Sequence, residues 1–165
     1  DLFGEAEKLF SDLNNITSGK KDGESYFGQK FRYIKNFKKA ILICIHGANK
    51  TFRKNLVHEQ EVLNNIADMM METYVSESLA LRIEKMASMK GDLSLYKDML
   101  DVNISDTAHI IRKSALDAIG TFCTKESCPS LMKAIDDLSR IACVNVKDAR
   151  RRIADKLIAD NCYKF

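Results

Sequence analysis

The chain is poor in residues that break or turn a backbone: one proline and seven glycines in 165 residues, with no tryptophan. So little turn chemistry leaves room for a few long elements rather than many short ones. No apolar run reaches the roughly 18 residues a membrane-spanning helix needs, so a transmembrane segment is excluded. No stretch alternates apolar and polar residues long enough to be read as a strand. There is no C-x-x-C, and the cysteines number five (Cys44, Cys123, Cys128, Cys143 and Cys162). An odd set in apolar, helical surroundings reads as buried free thiols in a reducing compartment. The chain starts at Asp1 with neither Met nor a signal peptide, which points to a fragment cut from something larger. Three N-x-S/T sequons (Asn15, Asn49, Asn103) carry no weight without a secretory signal.

Acidic residues are also missing where they would matter. Between Tyr26 and His58 there are eight Lys and Arg and no Asp or Glu. Residues 59–91 then carry six acids against three bases. A basic helix followed by an acidic one predicts an antiparallel hairpin with complementary flanks, whose exposed pairs add under about 1 kcal/mol each but disfavour wrong pairings. The overall charge of +3 is too small to imply a nucleic-acid partner.

What the chain does have is helical periodicity. Glu59–Met89 runs for 31 residues without Gly or Pro, about 45 Å at 1.5 Å per residue. Two apolar rows run along it. One is Leu63, Ile66, Ala67, Met70, Tyr74 and Leu81; the other is Val62, Met69, Val75, Leu79, Ile83 and Met86. Two rows predict burial against more than one neighbour. Residues 1–16 form a shorter stripe, followed by the polar Thr17–Ser25, read as a mobile loop or linker. On that reading residues 1–25 are an N-terminal helix and linker, open to being the tail of a preceding domain, and residues 26–165 are the bundle. Tyr26–His58 is a helix buried through Phe27, Phe31, Ile34, Phe37 or Lys38, Ile41, Ile45, Ala48, Phe52 and Leu56. Gly47 lies inside it, where Gly costs roughly 1 kcal/mol and so marks close helix packing. Gly91 and Asp92 are a helix stop and an N-cap. The next helix runs from Leu93 to Cys123, with a possible bend at Val102–Asp106. A short helix opens at Pro129. Val146–Asn161, capped by Asn145, buries Ala149, Ile153, Leu157 and Ile158. The fold class is therefore all-α: an antiparallel bundle of four main helices plus shorter ones, with no sheet.

Tests for chemistry come back bare. Di-metal bundles need Glu-x-x-His on two helices, and the nearest approach is a single Asp106-x-x-His109. No H-E-x-x-H, G-x-S-x-G, G-x-G-x-x-G or P-loop occurs. Glu61, Asp68 and Glu72 share a helix side and read as a solvated face or as partners of the basic helix. No catalytic, cofactor-binding or metal-ligating residue is assigned. Two basic clusters remain. Lys30, Arg32, Lys35, Lys38 and Lys39 interleave with aromatics; they are the candidate contact with an anionic membrane or an acidic partner, against the plainer reading of solvated lysines on a core helix. Lys147, Arg150, Arg151, Arg152 and Lys156 lie near the C-terminus, where Asp148–Arg152 reads as an i,i+4 pair.

One resemblance adds to this. Glu59-Gln60-Glu61-Val62-Leu63, Ile66-Ala67-Asp68-Met69, Glu72-Thr73-Tyr74, Glu77-Ser78 and Arg82-x-Glu84-Lys85, with the tail Asn145–Ile158, resemble the extra C-terminal region of acyl-CoA dehydrogenases. The group is a bacterial one related to the mitochondrial very-long-chain enzymes, and the likeness covers roughly residues 26–163. It implies a parent that uses FAD to introduce an α,β double bond into an acyl-CoA thioester, a Glu carboxylate taking the α-proton and flavin N5 the hydride. Those parts would lie upstream. The Tyr-x-Gly-Thr-type segment and the flavin-contacting motifs are not in these residues, so no catalytic residue carries over and Glu72 is not the base. The resemblance implies a non-catalytic helical domain that packs on the upstream core, serves a homodimer, or touches a partner or a membrane. The protein would be cytoplasmic, either free or peripheral to the inner membrane. The other reading is a stand-alone helical interaction module without an enzymatic parent.

Overall fold

A computed structural model describes residues 2–19, 23–89 and 92–161, apart from the side chains of Leu2 and Phe3. Among the described residues six α-helices follow one another: α1 (Leu2–Ser11), α2 (Tyr26–Phe52), α3 (Gln60–Ala87), α4 (Ser94–Phe122), α5 (Cys128–Leu138) and α6 (Val146–Asp160). Two short 3-10 turns, Leu13–Asn15 and Arg53–His58, close α1 and α2. The described residues hold no strand, and the all-α expectation stands.

The helix ends follow local chemistry. Ser25 caps α2 by accepting from the Gly28 N–H at 3.1 Å, and Asn145 caps α6 by accepting from Asp148 N–H at 3.2 Å, each satisfying an N–H with no intrahelical partner. Pro129 sits in the first turn of α5, where its missing N–H costs nothing. Asp92 binds the Ser94 N–H at 2.9 Å one residue ahead of its expected place, with Leu93 in the N-cap position of α4. Gly91 lies outside the described residues. The Val102–Asp106 stretch neither ends nor interrupts α4.

Paired contacts give the directions. Tyr26 reaches Lys97 and Asp101 while Gly47 meets Phe122, so α2 and α4 run the same way. Ser76 contacts Asn103 and Thr107 while Glu72 contacts Thr107, so α3 runs antiparallel to α4. α4 lies at the centre, touching α2, α3, α5 and α6. Its inner face, through Leu100, Ile104, Ile111, Ala115 and Ile119, is wholly buried against Phe37, Ile43, Cys44, Met69 and Ile83. A Cβ added to Gly47 would stand 2.2 Å from the Phe122 ring, so the absence of a side chain there is what lets α2 approach the end of α4.

α1 packs on α2: Ala6 is buried, Leu9, Phe10, Leu13 and Ile16 lie against the core, and Phe10 meets the His46 ring at 4.9 Å. The described part of the following segment is also held. The Ser18 carbonyl accepts from Arg32 at 3.0 Å and from the buried Asn36 amide at 2.9 Å.

Burial differs from the sequence pattern in several places. Cys44 is buried, but Cys123 and Cys128 are half-buried and Cys143 is exposed; Cys162 lies outside the described residues. Ile158 is 76 % exposed rather than buried, because α6 rests on α4 through Ala149 and less closely through Ile153 and Leu157. The row from Leu63 to Leu81 on α3, Ile66 apart, faces outward.

Candidate docking surface

Both rows of α3 were expected inside; of the second, Val62, Met69 and Ile83 are buried, while Leu79 and Met86 are half-buried and Val75 is exposed. Val62, Ile66, Met69, Ala80 and Ile83 face the core. Leu63, Met70, Tyr74 and Leu81 do not: Met70 is 53 % exposed, Tyr74 72 % and Leu81 52 %. With Ala67 and Glu77 they fall at positions 63, 67, 70, 74, 77 and 81, alternating steps of four and three. At 100° per residue those positions fall within about 40° of one line. A narrow stripe at this spacing is the pattern of a helix that meets one further helix through knobs in holes. Met71 and Val75 widen the stripe on one side, at 58 % and 50 % exposure. The four–three alternation is legible in the sequence, but a stripe does not say which neighbour covers it.

The basic segment of α2 divides in two. Lys30 and Arg32 turn inward. The Lys30 ammonium, 3 % exposed as a residue, pairs with Asp101 of α4 at 2.6 Å and lies over the rings of Tyr26 and Tyr33. The Tyr26 hydroxyl donates to the same carboxylate at 2.9 Å. Burial first, and then that bond and the carboxylate charges, raise the Tyr26 phenol well above its ordinary value. Arg32 is held by Glu24 at 2.8 Å and by Ser18. Lys35, Lys38 and Lys39 lie on the other side, along a groove of about 740 Å³ between α1, α2 and α3. Leu9, Ile16, Ile41, Leu42, Ile45 and Met70 give this groove an apolar lining. Lys38 crosses to Glu77 of α3 at 2.6 Å; among the described residues, Lys35 and Lys39 have no carboxylate partner. Thr73 also lines the groove, and its buried hydroxyl has no hydrogen-bond partner among the described residues.

The expected charge pairing of α2 with α3 thus comes down, among the described residues, to Lys38–Glu77. Glu72 of α3 turns instead toward α4, where it accepts from the Thr107 hydroxyl at 3.4 Å. The reason is rotational: the apolar row that must face the core fixes where each carboxylate points.

Two of the C-terminal arginines, Arg150 and Arg152, are structural. Arg152 binds Asp98 through two contacts of 2.6 and 2.7 Å, and Arg150 binds Asp106 at 2.7 and 2.8 Å. The expected Asp148–Arg152 pair gives way to this two-pronged grip on α4, which suits the guanidinium fork better. Asp148 is taken by Asn145 and Lys147. Among the described residues no group of three or more His, Cys, Asp or Glu could hold a metal ion, and no helix is long and apolar enough to cross a membrane.

Comparison with known proteins agrees with the helical order. A family model described as acyl-CoA dehydrogenase, C-terminal domain, matches residues 36–136. A probable acyl-CoA dehydrogenase of Bacillus subtilis (strain 168) is 25 % identical over 155 residues, 93 % of this chain and 26 % of the relative. The crystal structure of an acyl-CoA dehydrogenase complexed with FAD from Bacillus anthracis matches with a TM-score of 0.83 and 26 % identity, over 99 % of this chain and 28 % of that one. The chain spans about a quarter of the length of these relatives. The family pattern covers α3, α4 and most of α2 and α5, the helices that build the core and carry the outward stripe, and the chain belongs to the acyl-CoA dehydrogenase C-terminal domain family.

Proposed function

We propose that this chain is the non-catalytic helical domain of a FAD-dependent acyl-CoA dehydrogenase and that it docks on the enzyme's catalytic core through the outer face of α3. The single observation that carries this is the exposed seam Leu63–Ala67–Met70–Tyr74–Leu81. Soluble proteins leave large exposed apolar patches mainly where something covers them, and a helix-spaced seam fits a helix of the core. The relatives extend well beyond the matched region, which supplies a core to cover it. FAD and the acyl-CoA thioester belong to that core, and the whole enzyme is a cytoplasmic flavoprotein of fatty-acid oxidation.

Two tests follow. The reading frame upstream of Asp1 encodes a flavoenzyme core; a start codon close by leaves a stand-alone interaction module instead. In the assembled enzyme, Met70→Asp with Leu81→Asp releases the domain from the core in limited proteolysis while its own helicity stays unchanged. Equal protease resistance in both proteins overturns the docking face.

Lys35 and Lys39 favour a second contact. These cations lie without described carboxylate partners beside the groove, and suit an anionic membrane surface or an acidic flank of a second subunit. Co-sedimentation with liposomes rich in anionic lipid falls when Lys35, Lys38 and Lys39 become Glu. Unchanged binding, or none by either protein, removes the membrane contact.

A further inference from the structure

Two thiols meet outside every surface described so far. Cys123 follows the last residue of α4, its N–H still bonded to the Ile119 carbonyl at 2.8 Å. The chain then reverses in a tight turn. The Thr124 N–H binds the Ser127 hydroxyl at 3.0 Å, the Ser127 N–H binds the Thr124 hydroxyl at 3.2 Å, and Cys128 N–H binds the Thr124 carbonyl at 2.9 Å. This lattice of short bonds returns Cys128, the first residue of α5, to Cys123. The Cys128 side chain stands beside Cys123 and raises the Cys123 thiol above its ordinary value. Both are half-exposed, whereas Cys44 is enclosed in the core.

We propose that Cys123 and Cys128 are a dithiol site, which a low-molecular-weight disulfide of the glutathione class oxidises to an intramolecular disulfide. One thiol, after losing its proton, attacks a sulfur of the oxidant; that S–S bond breaks and one small thiol leaves with a proton. The second cysteine attacks the mixed disulfide, forming the Cys123–Cys128 bond and expelling the second small thiol. Two protein thiols are oxidised and one small disulfide is reduced to two thiols. Exchange proceeds by this relay wherever a second thiol stands within reach of the first. The closed ring staples α4 to α5 beside Phe122, the side chain that fills the space over Gly47.

The 165-residue chain is incubated with oxidised glutathione, alkylated and digested with trypsin without reduction. Lys125 lies between the two cysteines, so the disulfide joins two tryptic peptides, Ser114–Lys125 and Glu126–Lys133. The expected result is this cross-linked pair, lost on reduction, while exposed Cys143 carries a single glutathione adduct. In Cys123→Ser, Cys128 retains glutathione instead of resolving it. Recovery of Cys123 and Cys128 as separate glutathione adducts, or as unmodified thiols while Cys143 is modified, overturns the site. Circular dichroism of Cys123→Ser checks that the variant keeps its helices.

Discussion

α3 and α4 are nearly equal in length, 28 and 29 residues, yet they do opposite work. α4 has neighbours on most sides and buries ten residues, from Leu100 to Phe122, leaving no large hydrophobic side chain exposed. α3 packs on α2 and α4 and leaves Leu63, Met70, Met71, Tyr74, Val75 and Leu81 exposed. Both are long amphipathic helices without Gly or Pro in the apolar rows. The difference is not composition but how many partners the bundle itself provides. α4 is saturated by its own chain, whereas α3 is half a contact. The same holds for polar groups. α4 receives Lys30, Arg150 and Arg152 onto Asp101, Asp106 and Asp98, while on α3 the groove-lining Thr73 hydroxyl has no described partner.

The comparison is most directly broken by emptying α4. Ile111→Ala, at a fully buried position, is expected to cost about 2–5 kcal/mol through lost transfer free energy and the cavity left behind. Denaturant unfolding at constant m-value measures it; a loss near zero would mean that α4 is not the saturated helix. The junction of α4 with α2 comes next. Gly47→Ala pushes a methyl into the Phe122 ring and is expected to cost about 1–3 kcal/mol by overpacking. Gly47→Ala with Phe122→Leu should recover much of that loss, and failure to do so would place the strain elsewhere.

One turn before Gly47, burial pushes the Cys44 thiol up to about 12. An unfolded thiol titrates near 8.5, so above that pH the unfolded chain binds fewer protons than the folded one. Stability from this group is complete at pH 7 and is lost as pH rises from about 8.5 toward 12, at about 1.4 kcal/mol per pH unit. Cys44→Ala should flatten that part of the pH–stability curve; an unchanged slope would show that the thiol is not enclosed. The smallest effect belongs to the outer helix. Leu81→Ala, at a half-exposed site, is expected to change the isolated domain by no more than about 0.5 kcal/mol. A loss as large as that of Ile111→Ala would mean that α3 already has its partner within this chain.

Much of the architecture could be read from the residues. The scarcity of Pro and Gly, the unbroken periodicity of α3, Pro129 in the first turn of α5 and Asn145 before α6 act through bonds within a few residues of themselves. The demand at Gly47 for a close neighbour was legible too, though not which neighbour. The docking surface was half legible. The basic segment from Lys30 to Lys39 was picked out, but its division was not. Lys30 points at Asp101, which lies 71 residues away in sequence, and nothing local marks that pairing. Arg152 likewise had an acid four residues before it and took one on another helix.

The sequence by itself determined that this chain makes long helices, roughly where most of them lie, and which family it belongs to, because helix chemistry and family patterns are written in neighbouring residues; it ran α2 on to His58, where the helix ends at Phe52 and a 3-10 turn follows. Only the tertiary structure decided which apolar row is covered, which lysine is buried and which cysteines meet. Those outcomes depend on the rotation of one helix against another, and rotation is set by the sum of all the contacts the bundle makes.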